Sequence, residues 1–153
     1  MFNSCAYETN KGWMAIGACL AFWVGGVSAE PKGLYKVERW GPQVTREAHF
    51  VFGLSAPVDF LLGQIQQESG GDPNVTAIDL GRGLVQMMDG TGKWLTERYP
   101  NLGTPHPYNP LWAIRAMTRL DAHNLARVQG DTPCDKWGAA LKSYNAGLGY
   151  SLQ

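Results

Sequence analysis

Gln64-Ile65-Gln66-Gln67-Glu68-Ser69-Gly70-Gly71 reads as the end of a helix that carries one carboxylate out of an apolar stripe. Upstream, Ser55 is the expected N-cap, Pro57 suits the first turn, and Asp59 suits the positive end of the helix dipole. Val58, Leu61, Leu62 and Ile65 recur at i, i+3, i+4 and i+7, which is one buried helical face. At about 100° per residue, Glu68 falls about 20° from Leu61, at the margin of that face. Gly70-Gly71 supplies a C-cap and Pro73 blocks continuation. Partial burial and the negative end of the dipole both raise a carboxylate pKa, and a Gly turn admits a ligand. Those are the conditions for a general acid near neutral pH. An acid in the last turn of a core helix is commonly just a surface residue, so the rest of the chain has to decide.

The chain has 153 residues, enough for one domain with one core. Thirteen basic and thirteen acidic residues cancel, which removes the electrostatic case for nucleic acid or an anionic membrane as partner. Six Trp and six Tyr are many for this length, and aromatic rings stack on the apolar faces of sugars as well as filling cores.

Residues 1–29 read as a targeting segment. Lys11 is a basic flank, residues 12–27 carry no charge, and Val27-Ser28-Ala29 resembles a cleavage site. The alternative is a weak, Gly/Ala-rich membrane anchor, with contact through residues 12–29. Either implies export, to the periplasm or cell envelope. Residues 30–43 are expected as a linker and residues 44–153 as the functional domain. If the segment is removed, Cys134 is the one remaining cysteine; if it is kept, pairing with Cys5 or Cys19 across an apolar segment is disfavoured. Cys134 therefore reads as a small apolar residue at a helix start. His49, His106 and His123 are far apart and there is no CxxC, so neither a metal site nor a cofactor is expected.

Further along, residues 44–52 predict a first helix. Gly90 and Gly92 are expected to break the chain before a short helix over residues 93–99. Asn109-Pro110 predicts an N-cap with Pro at the first position, opening a long central helix to about Val128. Arg115, Arg119 and Arg127 are expected on its wetted side or paired with acids. Thr132-Pro133-Cys134-Asp135 predicts a capping box with Asp in place of Glu. Trp137, Ala140, Leu141 and Tyr144 form the buried stripe of the last helix. Period-two alternation is absent over any long stretch. The fold class is therefore mainly α, with a minor β-hairpin near residues 77–87.

Three polar clusters fall at helix ends or Gly-rich turns: Glu68-Ser69, Gln86 with Met87-Met88, and Tyr144-Asn145. Singly each is weak, since a lone Gln among apolar residues is usually a satisfied core amide. In order, Glu68-Ser69, Pro73, Gly83-Leu84-Val85-Gln86-Met87 and Tyr144-Asn145-Ala146-Gly147 resemble the soluble lytic transglycosylase (SLT) domain family, a relative of goose-type lysozyme. Gln86 follows Glu68 by eighteen residues, as in that family, and Tyr108-Asn109-Pro110 resembles its lead into a central helix.

The resemblance implies a lysozyme-like α+β fold in a single domain and peptidoglycan glycan strands as partner. It implies a lytic transglycosylase that acts as a monomer and cleaves the MurNAc-β-1,4-GlcNAc bond to leave 1,6-anhydromuramyl ends. Glu68 would be the catalytic acid and base. Tyr144 would hold its position, Gln86 and Asn145 would bind sugar, and Met88 would line the cleft. Two positions depart from the family. Its Ser nine residues after the Glu is here Ala77, with Thr76 or Asp79 as substitutes, and Leu80-Gly81 stands where it has Gly-Ala. Asp79 is also the candidate second carboxylate for a hydrolytic muramidase. A phage endolysin and a non-enzymatic peptidoglycan-binding module are the remaining alternatives.

Overall fold

The computed structural model describes residues 37–147. The targeting or anchor segment, and the first part of the linker, lie outside them. Five α-helices follow in order: α1 Gly41–Phe52, α2 Val58–Ser69, α3 Asp89–Arg98, α4 Pro110–Leu125 and α5 Pro133–Ala146. Short 3-10 turns occupy Gly83–Val85 and Pro100–Leu102. No helix among the described residues is long and apolar enough to cross a membrane.

The central helix is α4. Its cap forms as the sequence predicts, with Asn109 Oδ1 accepting from Leu111 N at 2.9 Å and Trp112 N at 3.3 Å. Ala113, Ile114, Ala116 and Met117 are fully buried on it. Around them pack Val44 and Ala48 of α1, Leu61 and Ile65 of α2, Leu84 and Val85 of the first 3-10 turn, and Leu95 of α3. Each large aliphatic side chain removed from water here contributes about 1.5–3 kcal/mol. Trp137 of α5 closes one end, with its ring 5.2 Å from Phe52 and 6.3 Å from Phe60. The capping box of α5 is complete: Asp135 N donates to Thr132 Oγ1 at 3.1 Å and Thr132 N to Asp135 Oδ2 at 3.0 Å.

Several local expectations change. Ser55 is not the cap of α2, because the helix starts at Val58 with Pro57 before it. Proline disfavours helical geometry in the residue preceding it, so Ala56 is held in a turn and the helix begins only afterwards. Gly90 and Gly92 do not break the chain; both lie in the first turn of α3. A glycine costs about 1 kcal/mol in a helix interior. Here Gly92 faces Trp112, whose ring a Cβ would meet at 3.4 Å, and the Arg82–Asp89 ion pair at 2.7 Å holds the turn. The central helix ends at Leu125, although Val128 is still buried through a turn bonded to Asn124 O.

Among the arginines, Arg119 is buried and pairs with Glu47 at 3.5 Å, while Arg127 is exposed. The expected hairpin is reduced to two isolated antiparallel bridges, Thr76 with Arg82 and Arg82 with Met87. The intervening 3-10 turn and a left-handed Gln86 fold the chain back too sharply for a ladder to extend. Cys134 is disulfide-bonded, which corrects its reading as a small apolar residue.

The described part of the expected linker lies against the domain. Val37 is buried, and Arg39 and Trp40 donate to Gly71 O at 2.8 and 3.1 Å.

Candidate active site

The site is assembled around the 3-10 turn Gly83–Val85. Gly83 has φ +70, and a Cβ there would overlap the Pro107 carbonyl, so only glycine permits this close approach. The turn presents two consecutive carbonyls to two different helices. Ser69 Oγ, at the end of α2, donates to Leu84 O at 2.7 Å and accepts from Gly71 N at 3.2 Å. Tyr144 OH, near the end of α5, donates to Val85 O at 2.8 Å. The C-cap of α2 forms as expected, with Gly70 left-handed and its N–H bonded to Gln66 O.

Glu68 stands beside this joint, half-buried in the last turn of α2. Burial, and then the negative charge of Asp79, push its carboxyl up to about 7. It is therefore a carboxylic acid that keeps its proton close to neutral pH. Asp79 is exposed on the loop opposite, and its Oδ1 accepts from Gly81 N at 3.2 Å. That loop is strained, with Leu80 at φ 72, and it holds Ile78 and Leu80 out in solvent. Thr76 is engaged with Tyr108 OH at 2.7 Å.

The other expected site residues are placed unequally. Gln86 Nε2 donates inward, to Gly83 O at 2.7 Å and Val75 O at 3.4 Å, and its Oε1 is buried without a partner among the described residues. Its side chain ties the loop before the turn to the turn itself. Met88 is 43 % exposed, directly before α3. Asn145 is exposed at the end of α5, with Nδ2 folded back toward Leu141 O at 3.4 Å. Gln86 and Tyr144 thus meet at one turn, which Ser69, the neighbour of Glu68, also joins, whereas Met88 and Asn145 are exposed.

A cleft of about 480 Å³ is lined by Thr91, Trp94, Leu120, His123 and Tyr144 among others. Trp94 and His123 meet edge-on at 4.6 Å. Burial, with Arg127 and then Arg98 nearby, lowers the His123 pKa from its ordinary value. Glu68 does not line this cleft; Tyr144 is the residue that belongs to both.

Two residues at the back of the site went unassigned in the sequence. Asp121 of α4 is fully buried, and Gln64 Nε2, one turn before Glu68, donates to its Oδ1 at 3.4 Å. Burial pushes Asp121 up to about 8, against the lowering effect of Gln64, with Glu68 raising it further. Burial also pushes Tyr144 well above its ordinary value, with Asp121 and Glu68 adding to it. The signal was present: Ile114, Met117 and Asp121 recur at i, i+3 and i+7, which puts an acid on a buried stripe. No group of three or more His, Cys, Asp or Glu among the described residues is placed to hold a metal ion.

A search of the curated proteins finds no match to the chain. The family described as the transglycosylase SLT domain matches residues 55–153, about two thirds of its length, and includes Glu68, the 3-10 turn and Tyr144. The helical, single-domain architecture is consistent with the lysozyme-like fold of that family. With the match spanning every element from α2 onward, the chain belongs to the transglycosylase SLT domain family.

Proposed function

We propose that the protein is a lytic transglycosylase of the cell envelope, cleaving the MurNAc-β-1,4-GlcNAc bond with Glu68 as its single acid and base. Membership of the transglycosylase SLT domain family supports peptidoglycan glycan strands as the substrate. The observation that carries the assignment to Glu68 is its half-buried carboxyl, raised to about 7 at the end of α2. Such a group is protonated often enough to act as an acid and is then a competent base.

In the forward step Glu68 gives its proton to the glycosidic oxygen, and the bond from that oxygen to muramyl C1 breaks. Positive charge develops at C1 and on the ring oxygen. The Glu68 carboxylate then takes the proton of the muramyl C6 hydroxyl, and O6 closes on C1. The products are a free GlcNAc end and a 1,6-anhydro sugar. Glu68 is protonated again and no water is consumed. This chemistry needs one carboxylate where ordinary glycosidases need two. Tyr144 serves by fixing the turn behind Glu68 through Val85. Gln86 shapes the same turn from within, so its share in sugar binding falls to the surface it supports. Met88 and Asn145 are the exposed flanks available to the glycan.

The second reading is hydrolysis. Asp79 lies close enough to Glu68 to raise its pKa, and an exposed carboxylate facing an acid is the arrangement that activates water. Mass spectrometry of muropeptides released from purified peptidoglycan separates these readings. Anhydro ends are expected from wild type and none from Glu68→Gln. Reducing ends instead would assign a muramidase, and an inactive wild type would leave a wall-binding module.

A further inference from the structure

Behind Glu68 the protein buries a second acid that no substrate can reach. Asp121 has no exposed surface. Its Oδ1 accepts from Gln64 Nε2, and its Oδ2 has no partner among the described residues. Gln64 precedes Glu68 by one helical turn, so the two share a face of α2. The Gln64–Asp121 bond therefore crosses from the turn that precedes the catalytic acid to the central helix. A carboxylate without a cation in such a place is far costlier than the neutral acid, which costs only its unmade hydrogen bonds. The titratable groups that face Asp121 are Glu68 from α2 and Tyr144 from α5, and Asp79 in turn faces Glu68. All are acids. Ionising Asp121 adds buried negative charge to a site that already has to hold an ionised Glu68 between its two proton transfers.

We propose that Asp121 is a positioning residue for Glu68: a buried, neutral carboxylic acid that anchors the last turns of α2 to α4 through Gln64 and whose ionisation disables the site. The proposal rests on Glu68 being the catalytic acid. On the alkaline side two protons are then required, one on Glu68 for the chemistry and one on Asp121 for the geometry. Asparagine reproduces the protonated form. Its Oδ1 accepts from Gln64, its Nδ2 replaces the acid O–H, and it does not titrate. Leucine fills the volume but offers Gln64 nothing.

The test compares the pH dependence of kcat for wild type, Asp121→Asn and Asp121→Leu. Above about pH 8, wild-type kcat is expected to fall about a hundredfold per pH unit, and that of Asp121→Asn about tenfold, since one titration has been removed. Near pH 7, Asp121→Asn keeps kcat within about twofold and Asp121→Leu loses at least about tenfold, with KM unchanged in both because neither residue touches glycan. Equal alkaline slopes in wild type and Asp121→Asn, or full activity in Asp121→Leu, overturn the proposal.

Infrared spectra at pH 7 provide a readout independent of turnover. The C=O stretch of a protonated carboxylic acid should persist in Glu68→Gln and vanish in the Glu68→Gln/Asp121→Asn double variant. Its absence from Glu68→Gln also overturns the proposal. An inactive wild type that keeps the band would sink the proposed enzymatic function and the positioning role with it. An active wild type with a single-proton alkaline limb would sink the positioning role alone.

Discussion

Ser69 and Tyr144 donate to adjacent carbonyls of one 3-10 turn, Ser69 to Leu84 O at 2.7 Å and Tyr144 to Val85 O at 2.8 Å. One residue comes from the end of the helix that carries Glu68 and the other from the last helix. Glu68, the proposed catalytic acid, is next to this backbone joint through Ser69, and among the described residues no side-chain hydrogen bond to its carboxyl is seen. Removing either hydroxyl leaves a buried carbonyl short of its donor, at a cost of about 1–3 kcal/mol. Tyr144→Phe should lower Tm and reduce kcat by about tenfold or more with little change in KM. Thermal melts and steady-state turnover on peptidoglycan check both.

Because the two bonds share a turn, their loss is not independent. The double variant Ser69→Ala/Tyr144→Phe should lose less stability than the two single losses added together. A double-mutant cycle by denaturant unfolding measures the difference. Strict additivity would mean that the two helix ends are held separately.

Activity should decline as pH rises through about 7, the value to which Glu68 is raised, because the acid loses its proton. Asp79 contributes to that elevation, so Asp79→Asn should move the alkaline limb to lower pH. Under the transglycosylase assignment the variant still forms anhydro ends. Abolished activity in Asp79→Asn, with reducing ends from wild type, would support hydrolysis.

Stability should also depend on pH, and its sign follows from proton uptake. Glu68 and Asp121 both bind their protons more tightly folded than unfolded, with folded values of about 7 and about 8. Their stabilising contribution is complete below the ordinary carboxylate range and is lost as pH rises through those folded values. Tm is thus expected to fall between about pH 5 and 8. Asp121→Asn should flatten that fall and melt higher than wild type at pH 8. Scanning calorimetry across this range checks it.

Gly83→Ala should be among the most damaging substitutions. The added methyl meets the Pro107 carbonyl, and φ +70 disfavours any side chain. A loss of about 3 kcal/mol or more is expected, together with loss of activity. Gly90→Ala, with nothing within 4 Å of the new Cβ, is the matched control and should be neutral or slightly stabilising.

Much of this architecture was legible locally. Asn109-Pro110, Thr132 with Asp135, and Gly70 fulfil their capping roles because each such bond lies within one turn of chain. The errors had two sources. Gly92 reads as a breaker until the distant Trp112 is brought against it, whereas Ser55 was a local misreading, because Pro57 two residues on excludes helix before it.

For the site, Glu68, Gln86 and Tyr144 were singled out by the resemblance to the SLT domain family that their order and the eighteen-residue interval from Glu68 to Gln86 carry. What they do there was decided by the fold. Gln86 turns its amide inward, Tyr144 bonds to a carbonyl 59 residues away, and Asp121 enters behind Glu68 from another helix. Hydrogen-bond partners and desolvation are properties of the packed interior. Periodicity along one helix can place an acid on the buried side, but only the neighbouring helices determine which group it meets and whether it keeps its proton.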